Sequence, residues 1–154
     1  MARRGKVDFR DLEAFAKKVE DNLDETRTKA FMEACAKELA ARLLRKVIKR
    51  TPVGKSRNGV KGGTLRRGWT GETGQNANSY VSSLNITSSS GRYVIEIVNP
   101  VHYASYVEYG HRTRNHKGWV NGRFMMTISA EEVENLAPGL LEKKLQTLLG
   151  EVFG

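Results

Sequence analysis

Arg92-Tyr-Val-Ile-Glu-Ile-Val-Asn99 decides the fold of this 154-residue chain. Tyr93, Ile95 and Ile97 alternate with Arg92, Val94, Glu96 and Val98, the two-residue period of a strand with one face in a core. Pro100 ends it, and a Ser-Ser-Gly turn leads into it. Before the turn, the segment 80–88, with Val81, Leu84 and Ile86, reads as a partner strand. Beyond Pro100, the segment 101–109 is too polar for a buried strand. Its tyrosines at 103, 106 and 109 predict a short helix laid on the sheet. The segment 119–127 predicts one or two further short strands. Ser129-Ala-Glu-Glu132 has the form of a capping box. It predicts a C-terminal helix opening there, interrupted at Pro138 and carrying Leu140, Leu141, Leu145, Leu148 and Leu149 beyond it.

Upstream the period changes. Phe9, Leu12, Phe15, Val19 and Leu23 recur at spacings of three and four, one stripe on a first helix. Residues 28–50 form a longer one, with Phe31, Cys35, Leu39, Leu43 and Val47 on its apolar face. Thr51-Pro52 stops it, because the residue before proline avoids the helical region and the ring cannot continue the ladder. The resulting order implies an α+β fold: a small antiparallel sheet packed with N-terminal, central and C-terminal helices. We read one domain over 1–154, with a helical extension over 1–25 and a long, extended, glycine-rich basic arm over 52–79.

That arm belongs to a wider run of charge. Between Arg42 and Trp69 lie ten Lys/Arg residues and no carboxylate, and the whole chain carries +9. The helical half reads as a solvated helix end. The half running through Lys55, Arg57, Lys61, Leu65, Arg66 and Arg67 to Trp69 reads as an assembly arm, ordered by neighbouring subunits or acidic partners. Trp69 is either a core anchor or an interface anchor. A basic chain favours anionic partners, so a nucleic-acid-binding module is a reading from a different class, and packaged DNA is a secondary contact for the arm.

Catalytic chemistry finds little support. Gly54-Lys55-Ser56 lacks the glycine a phosphate loop needs five residues earlier, where Lys49 stands. His102, His111 and His116 have no metal-ligand spacing, although His111 or His116 with Glu108 leaves a small hydrolase or nuclease as a third reading. The single cysteine, Cys35, lies on an apolar helix face. We expect no enzyme activity, cofactor, metal or small-molecule substrate, and no apolar run long enough for a membrane span. The stretch 103–114 instead packs Tyr103, Tyr106, Glu108, Tyr109, His111, Arg112 and Arg114 together. Tyrosine and arginine enrichment is characteristic of protein–protein contact.

Thr51-Pro52-Val53-Gly54 closes the long helix, and Gly63-Thr-Leu-Arg-Arg-Gly-Trp69 follows. A strand then ends at Asn99, and Tyr103-Ala104, Tyr106-Val107-Glu108-Tyr109-Gly110, Trp119 and Met125-Met126 come after it. Over roughly 30–149 this order resembles the tail-component family of lambdoid-type tailed phages, the neck or tail-completion proteins of the head–tail joining region. The resemblance implies a structural virion subunit, made in the bacterial host cytoplasm. It would form a homo-oligomeric ring, six-fold favoured, between the portal/connector or adaptor and the tail terminator or tail tube. A tail terminator ring is the near alternative.

Overall fold

The computed structural model describes residues 3–5, 17, 19, 21, 23–54 and 62–153. Two long antiparallel helices form its frame. Helix α1 (Glu25–Arg50) starts where the side chain of Asp24 accepts a hydrogen bond from Arg27 N at 2.8 Å, a cap that satisfies one orphan amide of the first turn. It stops at Thr51, whose extended backbone leads into Pro52. The last helix, to be called α5 (Met125–Phe153), lies against it. Glu38 on α1 meets Lys144, while Lys46 and Arg50 meet Glu132, so the two helices run in opposite directions. Val133, Ala137, Leu141 and Leu145, four residues apart, join Leu39, Leu43, Leu44 and Val47 in the core. Cys35 is buried there, and desolvation pushes its thiol up to about 11. The protonated sulfur is a packing group and a poor nucleophile. The expected first helix falls mostly outside the described residues; Lys17, Val19 and Asp21 are helical, and Val19 is buried. No helix among the described residues is long and apolar enough to cross a membrane.

Two short helices connect this frame to the strands. The described part of the basic segment, 62–79, does not run extended. Gly63, at φ 93°, turns the chain into α2 (Thr64–Gly68), and Asn76 caps α3 (Ala77–Ser83) through Ser79 N. Few apolar residues occur in this stretch, but Leu65, Trp69 and Ala77 are all buried. Those three side chains are enough to hold the segment against the body. Residues 55–61, with Lys55, Arg57 and Lys61, lie outside the described residues. Helix α3 replaces the first four residues of the strand expected over 80–88, and only Thr87 and Ser88 at its end are strand. Ala77, Val81 and Leu84, spaced four and three, carry its inward face, and the period-two reading of the same residues was too short to exclude this.

The fold is α+β, but among the described residues the strands make three separate antiparallel pairs and no single sheet. Strand β1 (Arg3–Gly5) pairs with β4 (Ile97–Asn99). Strand β2 (Thr87–Ser89) pairs with β3 (Arg92–Val94) across Ser90-Gly91, where both residues have positive φ, as a two-residue hairpin of the right twist requires. The continuous strand expected over 92–99 therefore breaks at Ile95-Glu96 and serves two different partners. Its alternation survives: Tyr93, Ile95 and Ile97 face inward, while Arg92, Val94 and Glu96 are exposed. Helix α4 (Ala104–Tyr109) matches the short helix expected there, and β5 (Gly110–Arg112) pairs with β6 (Trp119–Asn121).

The C-terminal helix differs from its sequence reading at both marked points. It begins at Met125, four residues before Ser129, and it continues through Pro138. Ser129 is buried inside it and donates to Met125 O, while Glu132 faces the cations of α1. The local capping box is therefore not formed. Proline in a helix interior costs about 3 kcal/mol. Here Pro138 is exposed, and the buried side chains on either side of it hold the helix together.

Candidate interaction surface

Two tertiary clasps position the surface, and both use residues from the sequence motifs. In the first, the Thr51 hydroxyl donates to Val47 O at 2.6 Å and accepts from Trp69 Nε1 at 2.7 Å. The Arg66 guanidinium donates to Thr51 O at 3.1 and 2.7 Å. Thr51 and Trp69 are both 0% exposed. The end of α1, which would otherwise leave carbonyls unpaired, is thus closed by α2. The Thr-Pro and Leu-Arg-x-x-Trp pieces of sequence are two halves of one knot.

The second clasp centres on Glu108, also 0% exposed. Its carboxylate accepts from Met126 N and Thr127 N, each at 2.9 Å, and from the Thr127 hydroxyl at 2.7 Å. A carboxylate on free amides at a helix start satisfies them and suits the positive end of the helix dipole. Glu108 is therefore the N-terminal cap of α5, supplied from 18 residues away. The backbone strengthens the joint: Arg123 N donates to Val107 O and Phe124 N to Glu108 O. Two glycines permit the approach. Gly110 has φ 89°, and a Cβ on Gly122 would lie 2.4 Å from Glu108 O. Among the described residues no three His, Cys, Asp or Glu side chains gather as a metal site. Glu108 is engaged by α5 and has no bond to a histidine, which removes the acid–base pairing with His111 or His116 considered above.

Beyond the second clasp runs the exposed β5–β6 hairpin. Its loop is tied by Thr113 N to Gly118 O at 3.0 Å, Gly118 N to Thr113 Oγ1 at 3.0 Å and Lys117 N to Asn115 Oδ1 at 3.0 Å. Arg112 stands directly across from Trp119, and His111 across from Val120. Eight large apolar side chains are exposed among the described residues, and six of them lie on this hairpin and its flanks. They are Tyr106 and Trp119, each 58% exposed, with Tyr109, Val120, Phe124 and Ile128. Tyr109 and Phe124 meet edge to face at 6.4 Å between centroids, and Tyr106 leans on His111 at 5.8 Å.

Of the contact residues expected from sequence, Tyr106, Tyr109, Arg112 and Arg114 are exposed here, and His111 is half-buried with its Nδ1 buried and unpartnered. Tyr103 caps no amide; half-buried, it packs on the core beside α4. Arg67 is exposed and donates to Gly62 O. Leu65, Trp69 and Glu108 face the subunit's own interior, and Arg66 closes α1, so these four hold the surface in place without presenting it. Trp119, Val120, Arg123, Phe124 and Ile128 were not expected as contacts. The available signal was a composition: from Tyr109 to Ala130 there is no carboxylate.

The helical half of the basic run is less free than a solvated face. Arg42 pairs with Glu38 at 3.0 Å, Arg45 donates to Asn78, and Lys46 and Arg50 converge on Glu132. Hydrogen bonds from Arg50 first, then Lys46, hold Glu132 at about 2, against an ordinary 4.5. A depressed folded-state value means the contribution is full above about 4.5 and lost as the pH falls towards 2. Glu132→Gln is expected to flatten the dependence of Tm on pH across that window. Wild-type and variant curves that stay parallel there would show that the pairing contributes nothing.

A family model described as "Bacteriophage HK97-gp10, putative tail-component" matches residues 13–110. None of the curated proteins and none of the solved structures compared with the chain matches it. The match covers α1, α2, both partners of the first clasp, and the Tyr-Val-Glu-Tyr-Gly run up to the first residue of β5. The chain belongs to the HK97-gp10-like family of bacteriophage tail components.

Proposed function

We propose that this tail component is a neck or tail-completion subunit, a structural and non-enzymatic part of the virion. It closes into a ring, six-fold favoured, between the portal/connector and the tail tube or its terminator. The observation that carries the reading is the grouping of six of the eight exposed large apolar side chains on the β5–β6 hairpin and its flanks. Such a grouping marks a surface meant to be covered by another protein of the particle. The basic segment 55–61 adds Lys55, Arg57 and Lys61 as a second set of contacts, and the chain acts as a single domain. A ring lets each copy use one patch towards one neighbour and a different patch towards the next.

The alternative of a nucleic-acid-binding module draws on the charge of +9. Its support weakens because Arg42, Arg45, Lys46 and Arg50 already have partners inside the subunit. Native mass spectrometry and negative-stain imaging, with the chain alone and mixed with the connector and tail-tube proteins of the same phage, test the proposal. Closed rings that join to either neighbour are expected. A chain that stays monomeric in every mixture and is missing from purified particles would end it.

A further inference from the structure

We infer that the β5–β6 hairpin docks on a neighbouring tail protein whose contact face has an apolar centre ringed by carboxylates. This rests on the proposed function and names the partner of that surface. Arg112, Arg114, Lys117 and Arg123 have no ion pair among the described residues. The hairpin has no acid of its own to offer them: the only carboxylate from Ile97 to Ala130 is Glu108, which is buried against α5. The next, Glu131, is exposed one turn beyond Ile128 and makes no ion pair with them. Four cations without counter-charges, around an apolar cluster, complement an acidic rim, and such complementarity sets partner choice and encounter rate.

The same observations set aside two other occupants. Val120 and Ile128, both exposed, offer nothing to a phosphate backbone but gain by meeting another apolar face. A second copy of the chain is a poor match because each copy carries +9. Its exposed carboxylates before and at the start of α1, Asp21, Asp24 and Glu25, stand among Lys17, Arg27 and Lys29, and others, Glu72, Glu131, Glu134 and Glu151 among them, are spread along the chain, so no exposed run of acids offers a rim. The ring contact is then made by another surface.

The test measures binding of the full chain to the separately purified connector and tail-tube proteins, and to a short DNA duplex, at about 50 mM and about 500 mM salt. One of the two proteins is expected to bind, more weakly in high salt. Trp119→Ser should weaken it at least about tenfold, and Arg112→Glu with Arg114→Glu should weaken it and reduce its salt dependence. Rings should persist in both variants. Circular dichroism checks the fold; if Trp119→Ser does not fold, the double charge reversal decides. Wild-type affinity in the folded variants overturns the inference, as does binding of DNA alone, or loss of self-association as the variants' main effect. Rings with unaltered partner binding sink this inference only. A wild-type chain that forms no ring and binds neither protein sinks the proposed function with it.

Discussion

Trp69→Ala is expected to lower the unfolding free energy by about 3–5 kcal/mol, the range for emptying a buried aromatic site. A domain of this size typically has about 5–15 kcal/mol in all, so the variant should lose a large share of its stability. The indole is wholly buried, and its Nε1–H is the donor that meets the Thr51 hydroxyl. Truncation therefore leaves a cavity and loosens the group that joins α1 to Met125 through Thr51 Oγ1. Urea denaturation checks it: the midpoint should fall sharply for Trp69→Ala and much less for Trp69→Phe, which keeps most of the volume. Tyr106→Ala, at an exposed position, should stay within about 0.5 kcal/mol of wild type. A folded Trp69→Ala subunit that merely fails to assemble would place the indole at an interface instead of in the core.

That contrast shows what local sequence could and could not reveal. The period of α1 was legible because its apolar face recurs over many turns, and α4 because three tyrosines keep helical spacing. The role of Trp69 was not legible. A lone tryptophan in a glycine-rich, cationic stretch has the same surroundings whether it anchors a core or a partner. Only the meeting of Thr51, Arg66 and Trp69, which sequence separates by up to 18 residues, distinguishes the two. Helix α3 was misread because a few residues of Ser, Tyr, Val and Leu satisfy either period. Strand β1 has three residues and no alternation to detect. The hairpin was half legible: its tyrosines and arginines signalled contact, while 119–127 read only as short strands, which says nothing of the exposure of Trp119 and Phe124. The start of α5 was concealed for another reason: an adequate local cap was present at Ser129, but a distant carboxylate displaced it.

Replacing that carboxylate has the second large effect. Glu108→Ala is expected to cost about 2–4 kcal/mol, because the buried Met126 amide and the part-buried Thr127 amide and hydroxyl lose their acceptor at once and each unmet buried group costs about 1–3 kcal/mol. Glu108→Gln keeps one oxygen and turns an amide towards a backbone donor, for a loss of about 2 kcal/mol on the same scale. Part of that loss comes from removing negative charge at a helix N-terminus. Denaturation midpoints should therefore rank wild type, Gln, Ala in descending order. Amide exchange gives the local test, since Met126 N and Thr127 N bond to this side chain and should lose protection in the Gln variant first. The consequence reaches the surface. The hairpin leaves the body just after Glu108 and returns just before Met125, so its two ends are joined through this side chain and the two backbone bonds beside it. Glu108→Gln should accordingly weaken partner binding although it alters no exposed atom, whereas Arg112→Glu should weaken binding and leave the midpoint unchanged. If Glu108→Gln matches wild type in midpoint and in exchange at 126 and 127, the carboxylate is not what starts α5, and the hairpin must be held by its glycine-mediated backbone contacts alone.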